Sequence, residues 1–152
     1  MSGAPVGAIA VAVDGSEASR GALDHALRLA REQGRPLAGV FVLDSGWADY
    51  IGNDWQSSRD ARQGFLDYVR GHLESQAKEA RRQFEAAADG FADAQFSVIA
   101  GDPLEALCDL MAQSKAEMLV AGREVFQVCG RPSVKRLAKE LPRRIKQPVM
   151  IV

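Results

Sequence analysis

The chain has 152 residues, 47% of them apolar and 26% charged, and its 19 basic and 20 acidic side chains leave a formal net charge of −1. This length and composition predict one globular domain over residues 1–152 that buries its own core. The charge balance argues against specific binding of nucleic acid or acidic membranes, and two cysteines exclude a disulfide framework. The N-terminus lacks a basic, apolar leader and no apolar run is long enough to span a bilayer, so we expect a cytoplasmic protein.

Apolar runs alternate with amphipathic stretches from the N-terminus onward. Ala8–Val13 is a continuous apolar run, typical of a parallel strand that is buried on both faces. Ser16 can cap the following helix and Gly34 can end it. Pro36–Leu43 predicts the second strand, and a long helix is expected from about Ser57 to Asp89.

Three further strands are expected, at Ala94–Ala100, Met118–Ala121 and Pro148–Val152. Between the first two of these, Asp102 can serve as the N-cap of a helix. Pro103 then occupies the first helical position, where its missing N–H and fixed φ are tolerated.

Ser133 begins the last predicted helix, and Pro142 should kink or end it because proline removes an interior N–H. The alternation of strands and helices predicts an α/β fold: a doubly wound, five-stranded parallel sheet, Rossmann-like, with helices on both faces. In such sheets ligands bind beyond the carboxyl ends of the strands. Those ends are Asp14, the segment after Val42 and the loop after Ala121.

Three segments of the chain, taken together, resemble a known family. They are "AIAVAVDGSE" (Ala8–Glu17), "GDP" (Gly101–Pro103) and the terminal "QPVMIV" (Gln147–Val152). In this order and spacing they resemble the universal stress proteins. The resemblance implies a five-stranded parallel sheet, an adenine nucleotide at the switch point in many members, and a homodimer formed through the last strand, here Val149, Met150, Ile151 and Val152.

The resemblance also implies where adenine and ribose would be held. The matching positions of this chain are Ala12, Val13, Asp14, Val42, Ala121 and Gly122. Asp14 suits this role because a carboxylate can accept hydrogen bonds from ribose hydroxyls. The alternative is that Asp14 only stabilises its own turn, as aspartate commonly does between a strand and a helix.

The phosphate motif of the family is degraded in this chain. Members that bind ATP carry Gly-x-x-Gly, nine residues, and then Gly-Ser or Gly-Thr. Here Gly122 is present, but Val125 stands where the second glycine should be, and a β-branched residue resists the positive φ that a phosphate cradle uses. Counting nine more residues reaches Lys135 and Arg136, and a gapped alignment recovers only Ser133. Weak or absent ATP binding is expected.

A basic segment covers the same region. From Arg123 to Lys146 the chain has eight Lys and Arg residues against two acidic ones. These cations can form an anion site at a helix N-terminus, or they can simply face water. The residues proposed for phosphate or another anion are Arg123, Arg131, Ser133, Lys135 and Arg136.

The remaining candidates carry less chemistry. No nucleophile, base or metal-ligand pattern is present, so neither catalytic nor metal-binding residues are assigned. The loop that holds Trp47, Tyr50 and Trp55 is interpreted as a local cluster or a dimer contact, ahead of a base-stacking role. Cys129, in the basic segment, could have a lowered pKa and be oxidisable.

The sequence thus favours a non-enzymatic, homodimeric stress-response module that needs no cofactor. It would act through a protein partner or a small anionic ligand and bind ATP weakly or not at all. The alternative is a genuine adenine-nucleotide protein, binding ATP or AMP and hydrolysing ATP slowly if at all. In that case the cations of Arg123, Lys135 and Arg136 would take the place of the glycine loop.

Overall fold

A computed structural model describes residues 4–45, 59–126 and 136–152. Within these residues the strands are β1 (Ile9–Ala12), β2 (Leu37–Asp44), β3 (Ala94–Gly101), β4 (Met118–Ala121) and β5 (Val149–Ile151). The helices are α1 (Glu17–Gln33), α2 (Arg59–Ala87), α3 (Pro103–Gln113) and α4 (Leu137–Arg144). Their order is the one that the sequence predicts.

All five strands are parallel and lie in the order β3-β2-β1-β4-β5. In this register Ile9 of β1 pairs with Leu37 on one side and with Met118 on the other. Right-handed crossovers in this order put α1 and α2 on one face and α3 and α4 on the other. The predicted doubly wound, Rossmann-like sheet is therefore confirmed, and its switch point lies between β1 and β4.

Burial follows the position of each strand in the sheet. All four residues of β1 and of β4 are buried, because these central strands are covered on both faces. The two outer strands, β3 and β5, are only partly buried. The most buried carboxyl ends are thus those that border the switch point.

The predicted caps of α1 and α3 are confirmed. The Ser16 side chain accepts a hydrogen bond from the Ser19 N–H at 3.3 Å, and Gly34 ends α1 at a φ of +64°. Asp102 accepts from the Glu105 N–H at 3.2 Å, directly before Pro103. These local signals fix where α1 and α3 begin, and so where the turns after β1 and β3 end.

The last helix departs from one expectation. The sequence predicts a kink or an end of the helix at Pro142, and the end is wrong, because Pro142 lies inside α4, which continues to Arg144. Proline removes only its own N–H from the helix, and the Ile145 N–H still donates to the Leu141 carbonyl at 3.1 Å. The expected helix start at Ser133 lies outside the described residues.

Candidate functional site

The turn that follows β1 is held by its own side chains. One carboxylate oxygen of Asp14, Oδ1, accepts the backbone N–H of Ser16 at 2.9 Å and also the Ser16 hydroxyl. Between them, Gly15 adopts a φ of +83°, which glycine tolerates and other residues resist. The carboxylate points into the protein, and Asp14 is only 2% exposed.

The turn that follows β4 lies next to it. Gly122 packs so closely on the first turn of α1 that an added Cβ atom would be 2.3 Å from the Ala18 carbonyl oxygen. The Val125 N–H closes the turn on the Gly122 carbonyl at 3.2 Å. The Arg123 N–H donates to the carbonyl of Val152 at 3.1 Å, which ties this turn to the end of the chain. Gly122 is thus required here by lack of space.

Phe126 joins the two turns. Its backbone N–H donates to Oδ2 of Asp14 at 2.7 Å, so both oxygens of that carboxylate are bonded within the protein. Its ring packs edge-on against Phe41 of β2, with centroids 5.8 Å apart. Its backbone has a φ of +67°, unusual for a bulky residue. The residue with a positive φ in this turn is therefore Phe126. It lies one residue beyond Val125, which occupies the place of the second glycine of the family motif.

Little space remains beside this ring. The cavity there has a volume of about 10 Å³, roughly that of a single water. It is bounded by Phe41, Val42, Asp44, Leu73, Gln76, Pro103 and Phe126. Beside the Phe126 ring, the crevice at the carboxyl ends of β1 and β2 is therefore filled by the residues that line it.

The six residues expected around a nucleoside are all buried, at or near the carboxyl ends of β1, β2 and β4: Ala12, Val13, Asp14, Val42, Ala121 and Gly122. Of those expected around an anion, Arg123 and Arg136 are exposed. Arg131, Ser133 and Lys135 lie outside the described residues, as do Cys129 and the aromatic loop of Trp47, Tyr50 and Trp55.

Gln83 of α2 is a site residue that the sequence did not indicate. Its Oε1 accepts the Ser19 hydroxyl at 2.6 Å and the Gly15 N–H at 3.2 Å, while its Nε2 donates to the Ser16 carbonyl at 3.0 Å. Gln83 thus fastens the turn after β1 to α2. No local pattern could have revealed it, because more than sixty residues separate the partners. Asp44, 4% exposed at the end of β2, and Phe126 were missed likewise.

Two wider hollows flank this fastened turn. One, of about 430 Å³, lies between α1 and α2 and is lined by Arg20, Asp24, Glu79 and Arg82 among others. The other, of about 360 Å³, is lined by Asp14, Gly15, Ser16, His72, Ser75, Gln76 and Glu79. The first lining mixes Arg20 and Arg82 with Asp24 and Glu79, and the second has two carboxylates with no Lys or Arg, so neither hollow selects an anion.

A basic surface lies on α4 and just beyond it. Four exposed cations, spaced three or four residues apart, form it: Arg136, Lys139, Arg143 and Lys146. Arg144 differs, because it pairs with both oxygens of Glu105 at 2.8 and 2.9 Å. The hydrogen bond from Arg144 lowers the pKa of Glu105 below its ordinary value, and the same bond raises the pKa of Arg144. The four remaining cations are the part of this surface that can meet an acidic ligand.

The last strand forms an outer edge. Val149, Met150 and Ile151 are half-buried, and Val152 is 45% exposed. The Val152 N–H donates to the Ala121 carbonyl at 3.0 Å, so this edge is tied to the switch point.

Three further findings concern metal ions, the Cys108 thiol and membranes. Across residues 4–45, 59–126 and 136–152, no group of three or more His, Cys, Asp or Glu side chains could hold a metal ion. Burial raises the pKa of the Cys108 thiol above its ordinary value, as expected of a packing residue. Among the helices that the structure describes, none is long and apolar enough to cross a bilayer.

Comparisons with known structures point in one direction. The structure is similar to UspA from Lactobacillus plantarum, with a TM-score of 0.67 and 19% identity over 98% of this chain and 99% of that one. It is similar to a universal stress protein in complex with cAMP, with a TM-score of 0.62 and 22% identity over 98% of both chains. It is also similar to a universal stress protein from Archaeoglobus fulgidus in complex with dAMP, with a TM-score of 0.59 and 18% identity over 99% of this chain and 98% of that one. These likenesses show the fold.

The family itself is shown by sequence. The comparison with curated proteins gave no match. The profile of the universal stress protein family, however, matches residues 6–152, nearly the whole chain. This agrees with the resemblance seen in the segments around Asp14, Asp102 and Pro148. The chain therefore belongs to the universal stress protein family.

Proposed function

We propose that this chain is a non-enzymatic, cytoplasmic stress-response module of one domain that works as a homodimer and needs no cofactor. It acts through a protein partner or a small anionic ligand, and it binds ATP weakly or not at all. The observation that carries the proposal is the self-bonded carboxylate of Asp14, whose two oxygens are taken by Ser16 and Phe126.

The nucleoside half of a nucleotide site needs a free acceptor and a slot for the base. A ribose hydroxyl would have to displace the Phe126 N–H from Asp14, losing a charge-assisted hydrogen bond. The base would need far more room than the cavity of about 10 Å³ beside Phe41 provides. Because neither requirement is met, nucleoside binding should be weak.

The phosphate half lacks a glycine cradle. Gly122 is packed against Ala18, and the Val125 N–H already donates to the Gly122 carbonyl. Phosphate would then depend on the side chains of Arg123, Lys135 and Arg136, which bind phosphate as separate charges and without a preformed loop.

The basic surface supports the choice of an acidic or anionic partner. Arg136, Lys139, Arg143 and Lys146 are exposed, whereas the chain as a whole carries a net charge of −1. Residues 136–146 carry five cations and one acid, Glu140, so the rest of the chain has a net charge of −5 (14 basic minus 19 acidic residues). A partner with clustered carboxylates would be attracted to this surface and repelled elsewhere.

The test of nucleotide binding is calorimetric titration with ATP and with AMP. We expect no binding below about a hundred micromolar for the wild-type chain, and no change in Asp14→Ala or Lys135→Ala. Low-micromolar binding that both substitutions abolish would overturn the proposal. Asp24→Ala, an exposed carboxylate on α1, serves as the control.

The second candidate is the adenine-nucleotide protein with cations in place of glycines. The complexes of similar structures with cAMP and with dAMP favour it. It predicts that Arg123→Ala, Lys135→Ala and Arg136→Ala each weaken ATP binding far more than adenosine binding. Under the first candidate neither ligand binds well enough for such a difference to appear.

The homodimer is proposed through β5. An outer strand carries backbone N–H and C=O groups that a second strand can pair with, and Val149, Met150 and Ile151 of β5 are incompletely buried. Sedimentation at micromolar concentration should show two chains, and Met150→Lys should give a monomer. A wild-type monomer would overturn this part of the proposal alone.

A further inference from the structure

The crevice at the carboxyl ends of β1 and β2, next to the switch point, is occupied by part of the chain. In open α/β sheets this crevice, outside the carboxyl ends of the strands, is where ligands bind. Here the turn from Gly122 to Phe126 folds back across the end of β1. It places an N–H on Asp14 at 2.7 Å and an aromatic ring against Phe41.

Each of these contacts is one that a nucleoside can make. A ribose hydroxyl can donate to a carboxylate as the Phe126 N–H does, and a flat base can pack on an aromatic ring as the Phe126 ring does. We infer that Phe126 is an internal substitute for a nucleoside, and that this residue decides whether the crevice accepts one. The inference rests on the proposed function, because it takes the wild-type crevice to be closed to nucleotides.

The backbone of Phe126 shows what holds it there. A φ of +67° suits glycine and is unfavourable for a bulky side chain. The residue keeps this conformation because Asp14 and Phe41 bind its two ends. Phe126→Gly would therefore remove the ring while leaving a backbone that can keep the turn.

The walls left behind by that change suit a purine nucleoside. Phe41, Val42, Leu73 and Pro103 are apolar and can cover a base, and Asp44 and Gln76 bring a few polar groups to the rim. An apolar slot with few polar groups is the usual composition of a small-molecule site. In Phe126→Gly the backbone N–H of residue 126 no longer has a ring packed on Phe41 to hold it in place. A ribose hydroxyl could then displace this N–H from Oδ2 of Asp14.

The experiment is calorimetric titration of the full chain and its Phe126→Gly variant with adenosine. We expect the variant to bind adenosine at least tenfold more tightly than the wild type does. For 2′,3′-dideoxyadenosine, which lacks the ribose hydroxyls, we expect the two proteins to have the same affinity. The matched control is Phe84→Ala, which truncates another buried ring, packed 5.6 Å from Phe96 and away from Asp14. It should show no gain.

The outcomes separate this inference from the proposed function. Low-micromolar adenosine binding by the wild-type chain would overturn both the proposed function and the inference, because the crevice would then accept a nucleoside with Phe126 in place. No binding by either protein, with Phe126→Gly folded by circular dichroism, leaves the proposed function standing and overturns the inference. An equal gain in Phe84→Ala also overturns it.

A second measurement applies if Phe126→Gly does not fold. Amide hydrogen exchange in the wild-type chain compares the N–H of Phe126 with that of Val13, which donates to the Val40 carbonyl inside the sheet. A displaceable turn should expose the Phe126 amide at least tenfold faster than the Val13 amide. Equal rates would mean that the turn opens only on global unfolding, and the inference fails.

Discussion

The two turns that meet at the switch point are built in different ways. In the turn after β1, Asp14, Gly15 and Ser16 each have the residue type that their position requires: a carboxylate acceptor, a φ of +83° and a helix cap. In the turn after β4, a phenylalanine occupies the left-handed position at residue 126. A glycine stands at 122, where space is short.

This difference teaches which kind of interaction decides each turn. The first is specified locally and would form in many contexts. The second depends on contacts with distant parts of the chain, chiefly Ala18, Asp14 and Phe41. Substitutions at the second turn should therefore be more disruptive than its loop-like sequence suggests.

The largest effect is expected from Gly122→Ala. The new Cβ would be 2.3 Å from the Ala18 carbonyl oxygen, a backbone atom that cannot rotate away. We expect the free energy of unfolding to fall by about 3 kcal/mol, at the upper end for overpacking. Denaturant unfolding followed by circular dichroism measures it.

The matched control is Gly71→Ala in α2. This exposed glycine has no atom within 4 Å of an added Cβ, and alanine is the better helix former by about 1 kcal/mol. Gly71→Ala should stabilise the chain slightly. If Gly122→Ala and Gly71→Ala change the free energy of unfolding by the same amount, then Gly122 is not closely packed against Ala18, contrary to the structure.

The next largest effect is expected from Asp14→Asn, which weakens the hydrogen bond from the Phe126 N–H that joins the two turns. The amide keeps one acceptor oxygen, so either the Ser16 N–H or the Phe126 N–H loses its partner. Loss of a buried hydrogen bond to a charged group should lower the free energy of unfolding by about 2 kcal/mol. Asp24→Asn, at an exposed position of α1, should change it by less than about 0.5 kcal/mol. Equal effects would contradict the link.

The contrast also explains what could be predicted from the sequence. The order of strands and helices along the chain, the caps at Ser16 and Asp102 and the placement of Asp14 after β1 follow from local patterns, because periodicity and capping act over a few residues. The orientation of Phe126 into the core could not be foreseen, since an aromatic residue in a loop gives no signal of a positive φ.

The same limit applies to the candidate site. The family resemblance predicts a nucleoside position at Asp14, but it does not predict the hydrogen bonds that this carboxylate makes within the protein. One of those bonds comes from Phe126, 112 residues away. Gln83 gives no signal either, because a glutamine on a long helix is usually a solvated residue. Tertiary contacts of this kind decide whether a family's binding residues remain available.

A smaller effect is expected from Gln83→Ala, which loosens the locally specified turn. Three hydrogen bonds, to Gly15, Ser16 and Ser19, would be lost or passed to water. Because the turn keeps its own bonds, we expect a loss of about 1 kcal/mol in the free energy of unfolding. Hydrogen exchange at the Gly15 amide should quicken. Glu85→Ala, exposed on the same helix, should change neither, and unchanged exchange in Gln83→Ala would contradict its fastening role.

The smallest effect concerns the ion pair that joins α4 to α3 beyond the second turn. Arg144 donates two hydrogen bonds to Glu105, and these bonds lower the pKa of Glu105 below its ordinary value of 4.5. A carboxylate with a lowered pKa in the folded state stabilises the protein fully above its unfolded pKa. That stabilisation is lost as the pH falls through the lowered value. Both groups are exposed, so the effect should be slight and should shrink with added salt.

The measurement is the difference in melting temperature between wild type and Glu105→Gln at several pH values. We expect a small, constant difference from pH 8 down to about pH 5 that disappears below the ordinary pKa of 4.5. Glu85→Gln, which removes another exposed carboxylate, on α2, is the control. A Glu105→Gln difference that grew as the pH fell would have the wrong sign for a lowered pKa. Such a result would mean that the ion pair between Arg144 and Glu105 does not help to hold α4 against α3.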